Sequence, residues 1–148
     1  MGIFREQELE QIQQAVEDAE RFTSGEILIC VEKKSKEAIL DRAADYFKEL
    51  GMDKTALRNG VLIYIAVEDH QFAIIGDAGI NKVVPKNFWD STKDAMLASF
   101  KEGKLAEGII TGVNLAGQQL KTYFPYQDDD INELPDHIVF RDHHTPHN

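Results

Sequence analysis

Three short loops of this chain carry side chains whose oxygen atoms could bind a cation. They contain Ser24 and Glu26, then Arg58 and Asn59, then Asp77. Each loop also holds a glycine, which lets the backbone turn sharply. Carboxylate and amide oxygens on flexible loops suit Ca²⁺ or Mg²⁺ better than zinc. These loops predict a divalent-cation site, provided that the fold brings them together.

The apolar runs beside these loops predict how the fold would do so. Residues 27–31 and 61–67 are apolar throughout, which is typical of strands buried on both faces, and a helical pattern between them predicts a parallel crossover. A polar turn over 68–71 leads into a third strand, 72–76, which should pair antiparallel. The first two strands then begin at the same end of the sheet at which the third strand finishes. We call this end the loop edge of the sheet.

At that edge we expect a divalent cation bound by Glu26, Asn59 and Asp77, with Asp90 or backbone carbonyls completing a shell of about six to eight ligands. Carboxylates brought close together cost energy unless a cation or a proton lies between them. Arg58 could supply the positive charge instead, pairing with Glu26 while Asp77 caps its own loop. The residues alone leave both alternatives open.

A second set of residues in the same loops could contact an anion or a substrate. The set comprises Ser24, Arg58, Gly79 and Asn81. An efficient phosphatase usually shows a nucleophile or a cationic clamp for the phosphate. Here the clamp would be Arg58, joined by Lys82 or Lys86, on a strongly acidic protein. We therefore expect any phosphatase activity to be weak.

Composition restricts the classes of function further. The 148 residues carry a formal net charge of −10, and the pI is about 4.9. Nucleic acid and anionic lipid would be repelled, so we expect neither as a partner. The sequence shows no run of 18 apolar residues and no signal-peptide pattern, which predicts no membrane insertion and a cytoplasmic location. Cys30, the single cysteine, lies in an apolar run and should be a buried, inert thiol.

Helical periodicity completes the predicted fold class. Apolar residues recur at three- and four-residue steps over 5–22, 87–101 and 105–123. Ser35 is expected to cap the crossover helix, with Leu40 on its inner face. We predict an α/β protein, a three-layer α/β/α sandwich around a small mixed sheet with one βαβ crossover and one antiparallel hairpin.

The last part of the chain differs in composition. From Gln127 onward it is acidic and contains histidines, with 138–140 as its only apolar segment. We predict one domain over 1–125 and a mostly disordered tail over 126–148, in which 138–140 could lie against the domain. On that basis, truncation after Tyr126 should leave the melting midpoint nearly unchanged.

Five segments, in order and at suitable spacing, resemble the TPM domain. They are residues 23–27, 58–63, 72–80, 88–89 and 100–109, and the resemblance covers about residues 1–125. It implies an α/β/α sandwich that binds a divalent metal, often calcium, in loops at one end of the sheet. Carried over to this chain, the site positions are Glu26, Asn59 and Asp77, with Asp90 as a further candidate.

The resemblance also implies two classes of function. Some plant members of the family have weak acid phosphatase activity, and others are non-enzymatic auxiliaries of membrane complexes. We therefore expect a module that binds Ca²⁺ or Mg²⁺ and acts through a protein partner, which in some relatives is membrane-associated. The alternative is metal-dependent hydrolysis of a phosphate monoester, in which the ion polarises the phosphate and activates water.

Overall fold

A computed structural model describes residues 3–126 and 138–141 of the protein. The elements in chain order are α1 (Glu6–Glu20), β1 (Glu26–Glu32), α2 (Ile39–Glu49), a 3₁₀ turn (Met52–Lys54), β2 (Gly60–Ala66), β3 (Gln71–Gly76), α3 (Ala78–Asn81), α4 (Asp90–Lys101), α5 (Leu105–Tyr123) and β4 (Ile138–Arg141).

The four strands form one mixed sheet in the order β3-β2-β1-β4. Strands β1 and β2 are parallel, β3 is antiparallel to β2, and β4 runs parallel to β1. All seven residues of β1 and all seven of β2 are buried, as their continuous apolar runs predicted. The predicted crossover and hairpin are therefore confirmed.

Helices cover both faces of the sheet, and alternate residues of β1 show which side chains meet which layer. Ile27 and Ile29 face the core formed with α1, α4 and α5, while Leu28 and Cys30 face α2. Full burial of an isoleucine is worth about 1.5–3 kcal/mol, so the central strands stabilise both layers. This arrangement confirms the three-layer α/β/α sandwich. Cys30 is fully buried, and burial raises the pKa of its thiol to about 12.

Ser35 does not cap α2, which begins at Ile39, three residues later than a cap at Ser35 would place it. Its hydroxyl donates to the Glu37 carbonyl, and its N–H donates to Asp69 Oδ2 at 2.7 Å. These bonds tie the segment before α2 to the turn between β2 and β3. Leu40 is consequently 60% exposed, so its predicted place on the inner face was wrong.

Two other predicted helix boundaries also moved. Helix α4 begins at Asp90, and Asn87 precedes it in a turn whose carbonyl accepts the Asp90 N–H. Helix α1 ends at Glu20, and Phe22 beyond it is 52% exposed rather than buried. Within residues 3–126 and 138–141, no helix has the length and apolar character needed to cross a membrane.

Strand β4 joins the sheet from the region that composition marked as a tail. Phe140 contacts Phe4 with ring centroids 6.1 Å apart, and Val139 packs against the α2 layer. Arg141 pairs with Glu49 at 3.3 Å. The sheet thus extends beyond residue 125. Residues 127–137 and 142–148 lie outside the described residues, so their predicted disorder stays a prediction.

Candidate functional site

Three loops meet where β1 and β2 begin and β3 ends, as the topology predicted. The Glu26 N–H donates to the Asn59 carbonyl at 3.3 Å, and the Asp77 N–H donates to the Gly60 carbonyl at 2.9 Å. The Asn59 side-chain amide donates to Ser24 Oγ at 3.4 Å. We call this place the rim and define it by residues 24–26, 58–60 and 76–79.

Three of the four side chains predicted to bind a cation are almost completely buried at the rim. Glu26 is 5% exposed, Asn59 1% and Asp77 6%. Burying such groups costs free energy unless each one has a partner. Glu26 precedes Leu28 and Cys30 on the same face of β1, so its side chain lies on the α2 side of the sheet.

Arg58 pairs with Asp77, not with Glu26 as one alternative proposed. Its Nε donates to Asp77 Oδ2 at 2.7 Å and its Nη2 to Oδ1 at 2.9 Å, a bidentate pair. The hydrogen bonds that Arg58 donates to Asp77, and the negative charge of that carboxylate, raise the pKa of Arg58. Asp77 Oδ1 also accepts the Ala78 N–H at 2.7 Å, which confirms that Asp77 caps its own loop.

The backbone that carries Arg58 has an unusual conformation. Its φ is 52°, in the left-handed region that non-glycine residues rarely adopt and that costs on the order of 1–3 kcal/mol. Gly79 packs directly against it, since a Cβ there would lie 2.4 Å from the Leu57 carbonyl oxygen. The close approach lets the Gly79 N–H donate to the Arg58 carbonyl at 2.8 Å. Gly79 is therefore required by packing.

The predicted anion-contact residues are all engaged within the protein. Ser24 Oγ accepts from Asn59, and its backbone N–H donates to the Phe124 carbonyl at 2.9 Å. The Asn81 amide donates to the Gly76 carbonyl at 3.1 Å. An incoming anion would have to displace these bonds or the Arg58 pair described above.

Sequence reasoning missed two oxygen atoms in the loop before the rim. Asp53 Oδ1 and Thr55 Oγ1 are buried and have no hydrogen-bond partner among the described residues. The loop is connected to the rim because the Thr55 carbonyl accepts the Arg58 N–H at 3.2 Å. The charge of Asp53 also acts on Arg58. Nothing local in the sequence showed that the oxygens of Asp53 and Thr55 would be buried.

Glu20 is a third polar residue that the sequence did not single out. It closes α1 and accepts the Ile27 N–H at 3.0 Å, so a carboxylate from the helix layer reaches the start of β1. Burial raises the pKa of Glu20 to about 7, against the effect of the Ile27 hydrogen bond. On the sequence it appeared only as one more polar position on an amphipathic helix.

The donor chemistry of the rim fits a hard cation, but the side chains are not arranged as a ready metal cluster. Within the described residues, no group of three or more histidine, cysteine, aspartate or glutamate side chains could hold a metal ion. Asp90 is exposed at the start of α4, in the layer on the other face of the sheet from Glu26. The rim therefore brings together Glu26, Asn59 and Asp77, while Asp90 stands apart from them.

A second buried carboxylate lies at the other end of β1. Glu32 is fully buried and accepts from Arg42 Nε at 3.1 Å and from Arg42 Nη2 at 3.0 Å. The hydroxyls of Tyr46 and Tyr64 also donate to it. We call these four residues the Glu32 cluster. Burial alone would raise the pKa of Glu32, but the donated hydrogen bonds outweigh it and hold the pKa below its ordinary value.

Comparison with known proteins identifies the family. The chain matches the TPM domain over residues 1–119. It is similar to the NMR structure of BA42 protein from the psychrophilic bacterium Bizionia argentinensis, with TM-score 0.89 and 47% identity over 94% of this chain and 96% of that one. The N-terminal domain of a P. gingivalis protein has TM-score 0.67 at 18% identity, covering 83% and 80%. The N-terminal domain of cg2496 from Corynebacterium glutamicum has TM-score 0.61 at 14% identity, covering 100% and 86%. Among curated proteins none matches. The protein belongs to the TPM domain family.

Proposed function

We propose that this protein is a divalent-cation-binding module that holds Ca²⁺ or Mg²⁺ at the rim and acts through a protein partner. The observation that carries the proposal is the convergence of three buried polar side chains from separate loops. Glu26 and Asp77 each offer carboxylate oxygens. Asn59 would add the oxygen of its side-chain amide once that oxygen faces the ion, so all three ligands would be oxygen atoms. Oxygen donors from flexible loops are the donor set that Ca²⁺ and Mg²⁺ prefer.

The orphaned oxygens of the neighbouring loop support the same proposal. A buried oxygen without a hydrogen bond costs about 1–3 kcal/mol, and coordination to a cation would satisfy it. Asp53 and Thr55 each present such an atom within five residues of Arg58. We propose that Asp53 and Thr55 belong to the ligand-bearing loop, and that Asp90 stays outside it unless α4 shifts.

Arg58 is the resident positive charge that the ion would replace. Its side chain is 48% exposed, whereas that of Asp77 is 5% exposed. The guanidinium can therefore swing into solvent without breaking the core, leaving both carboxylate oxygens of Asp77 for a cation. In this proposal the ion takes over the neutralisation of Asp77, and the loops that it joins become more ordered.

The proposal of a partner follows from the family. An ordered rim would form a surface that differs between the ion-bound and ion-free protein, and such a surface can control the binding of another protein. The net charge of −10 favours a partner that is neutral or basic at its contact surface.

Phosphatase activity is the second candidate and ranks below the binding module. The guanidinium expected to clamp a phosphate is bidentate to Asp77, and the Gly79 N–H is bonded to the Arg58 carbonyl. Turnover of p-nitrophenyl phosphate with added divalent metal should stay far below the ~10 s⁻¹ median of enzymes. A rate near that median, lost in Asp77→Asn, would reverse the ranking.

A titration of the full chain with Ca²⁺, Mg²⁺ and Zn²⁺, followed by backbone NMR shifts, tests the proposal. We expect Ca²⁺ or Mg²⁺ to shift residues 76–81 and the loop before Asn59. Asp77→Asn should weaken the affinity tenfold or more, a change of about 1.4 kcal/mol. Asp69→Asn, at the opposite edge of the sheet, is the matched control and should change it little. Shifts confined to residues 68–70 would contradict the proposal.

A further inference from the structure

A cavity of about 390 Å³ lies at the opposite end of the sheet from the rim. The turn between β2 and β3 forms one side of it, and the end of α4 with the start of α5 forms the other. Its volume is within the range of small-molecule sites, which is about 300–1,000 Å³. It shares no residue with the rim, so its role is independent of the function proposed above.

The walls of the cavity are apolar and stand on rigid elements. Phe72 on β3 and Phe100 on α4 meet edge to face, with ring centroids 5.1 Å apart. Ile65 at the end of β2 is buried and closes one wall. Leu97 is 38% exposed although it is a large apolar residue, because it borders the opening. An apolar group bound there would cover surface that the folded protein leaves in water.

Polar groups at the same cavity favour an anion. Lys101 and His70 line it, and both are exposed. Lys101 forms no ion pair with any residue that the structure describes, although the protein carries a net charge of −10. The nearby Glu102 is already paired with Lys104 at 3.3 Å. An ammonium group that no described carboxylate pairs, beside an apolar cavity, is complementary to a ligand with an apolar body and an anionic head.

We propose that this cavity binds a small amphipathic carboxylate, such as a medium-chain fatty acid. The chain would lie against Phe72, Phe100 and Leu97. The carboxylate would accept hydrogen bonds from the Lys101 ammonium and from a ring N–H of His70. This orientation keeps the charged head at the opening and buries the apolar part, as small-molecule sites commonly do.

Octanoate and 1-octanol are the probes that test the proposal, because they share a chain and differ in the head group. Both are titrated into the full chain below the concentration at which octanoate self-associates, with backbone NMR shifts as the readout. We expect saturable shifts from octanoate at Ile65, Phe72 and Leu97, with octanol binding more weakly. Equal binding of the two probes, or octanoate shifts elsewhere in the protein, would overturn the proposal.

Two charge-matched variants locate the anion contact. Lys101→Gln keeps most of the side-chain stem and removes the charge, so octanoate should bind about threefold to tenfold more weakly while octanol is unaffected. Lys93→Gln removes a charge two turns earlier on the same helix and should change neither probe. An unchanged octanoate affinity in Lys101→Gln, with the native spectrum retained, would also overturn the proposal.

Discussion

The two ends of β1 each bury a carboxylate on the α2 side of the sheet. The two carboxylates have different surroundings. At one end, the Glu32 cluster gives each carboxylate oxygen an arginine donor and a tyrosine donor. At the other end, Glu26 lies in the rim beside the pair of Arg58 and Asp77. Both ends thus contain a bidentate arginine–carboxylate pair. The Glu32 cluster, which we call the saturated end, has two side-chain donors at each carboxylate oxygen, whereas the pair of Arg58 and Asp77 is completed by a backbone donor, the Ala78 N–H.

Exposure separates the two arginines. The Arg42 side chain is 20% exposed and lies against the Tyr46 ring, with 4.4 Å from its guanidinium carbon to the ring centroid. The Arg58 side chain is 48% exposed and sits on a left-handed backbone. Removing Arg42 would leave the buried Glu32 charge with only its tyrosine donors, whereas we propose that a solvent cation can take the place of Arg58. We therefore expect the buried pair at the saturated end to serve stability, and the half-exposed pair at the rim to be the one available for the proposed binding.

The largest effect should come from breaking the saturated end. Glu32→Gln puts an amide donor where Arg42 and the tyrosine hydroxyls also donate, so it should cost about 3–5 kcal/mol in the free energy of unfolding. Urea denaturation followed by circular dichroism measures this. Glu37→Gln is the control, because Glu37 contacts the same Arg42 at 3.7 Å but is much more exposed. Similar losses in both variants would mean that the Glu32 cluster is not special.

Strand β4 should make the next largest contribution, since it covers the saturated end. Its residues are half-buried, and the Arg141 guanidinium lies 5.7 Å from the Tyr46 ring centroid. Because β4 pairs with β1, truncation after Tyr126 should no longer leave the melting midpoint unchanged, as composition alone had suggested. A chain ending at Tyr126 should lose about 2–3 kcal/mol and melt roughly 5–10 °C lower. A chain ending at Asp142 keeps the strand and should melt like the full protein. Identical midpoints for both truncations would show that β4 adds no stability.

The rim end should respond to pH in the opposite sense from the Glu32 cluster. Because the pKa of Glu32 is lowered, its contribution is lost as pH falls through that pKa in the folded protein. Because the pKa of Glu20 is raised to about 7, folding takes up a proton there, and stability is lost as pH rises from about 4.3 to about 7.

Glu20→Gln isolates this effect. The amide can still accept the Ile27 N–H but cannot ionise. Between pH 5 and pH 8, the free energy of unfolding should therefore fall by on the order of 2 kcal/mol more in the native protein than in the variant. Urea denaturation at both pH values measures it. The exposed Glu10→Gln on the same helix is the control. Parallel pH profiles for the native protein and Glu20→Gln would show that Glu20 titrates normally.

The convergence at the rim could be predicted because it depends on strand directions. A four-residue turn after 61–67 forces an antiparallel hairpin, which brings Asp77 back to the side where β1 begins. The choice of partner for Arg58 could not be predicted. Glu26 and Asp77 were both acidic residues expected at the rim, and in the folded protein the guanidinium is bidentate to Asp77. The backbone of Arg58 is left-handed and packs closely against Gly79, a tertiary contact that local sequence does not show.

The Glu32 cluster was missed for a different physical reason. Its members come from β1, α2 and β2, and they meet only once the strand register is fixed. On the sequence, Glu32 is simply the polar residue that ends an apolar run. Tyr46 and Arg42 stand four apart, one turn of a helix, which is the local signal that both would share one face. Without the register, nothing indicated that this face would meet a buried carboxylate.

The smallest expected effect is the most direct test of the difference between the two ends of β1. It asks whether a cation can replace Arg58 as the partner of Asp77. If a divalent cation displaces Arg58 from Asp77, Arg58→Ala removes its competitor, and Ca²⁺ should bind about threefold to tenfold more tightly. Arg58→Lys keeps the charge but loses the bidentate geometry, so its affinity should fall between those of the native protein and the alanine variant. Calorimetry at fixed ionic strength measures all three affinities. Weaker binding in Arg58→Ala would mean that Arg58 holds the rim in its binding conformation, and the two ends of β1 would then be alike.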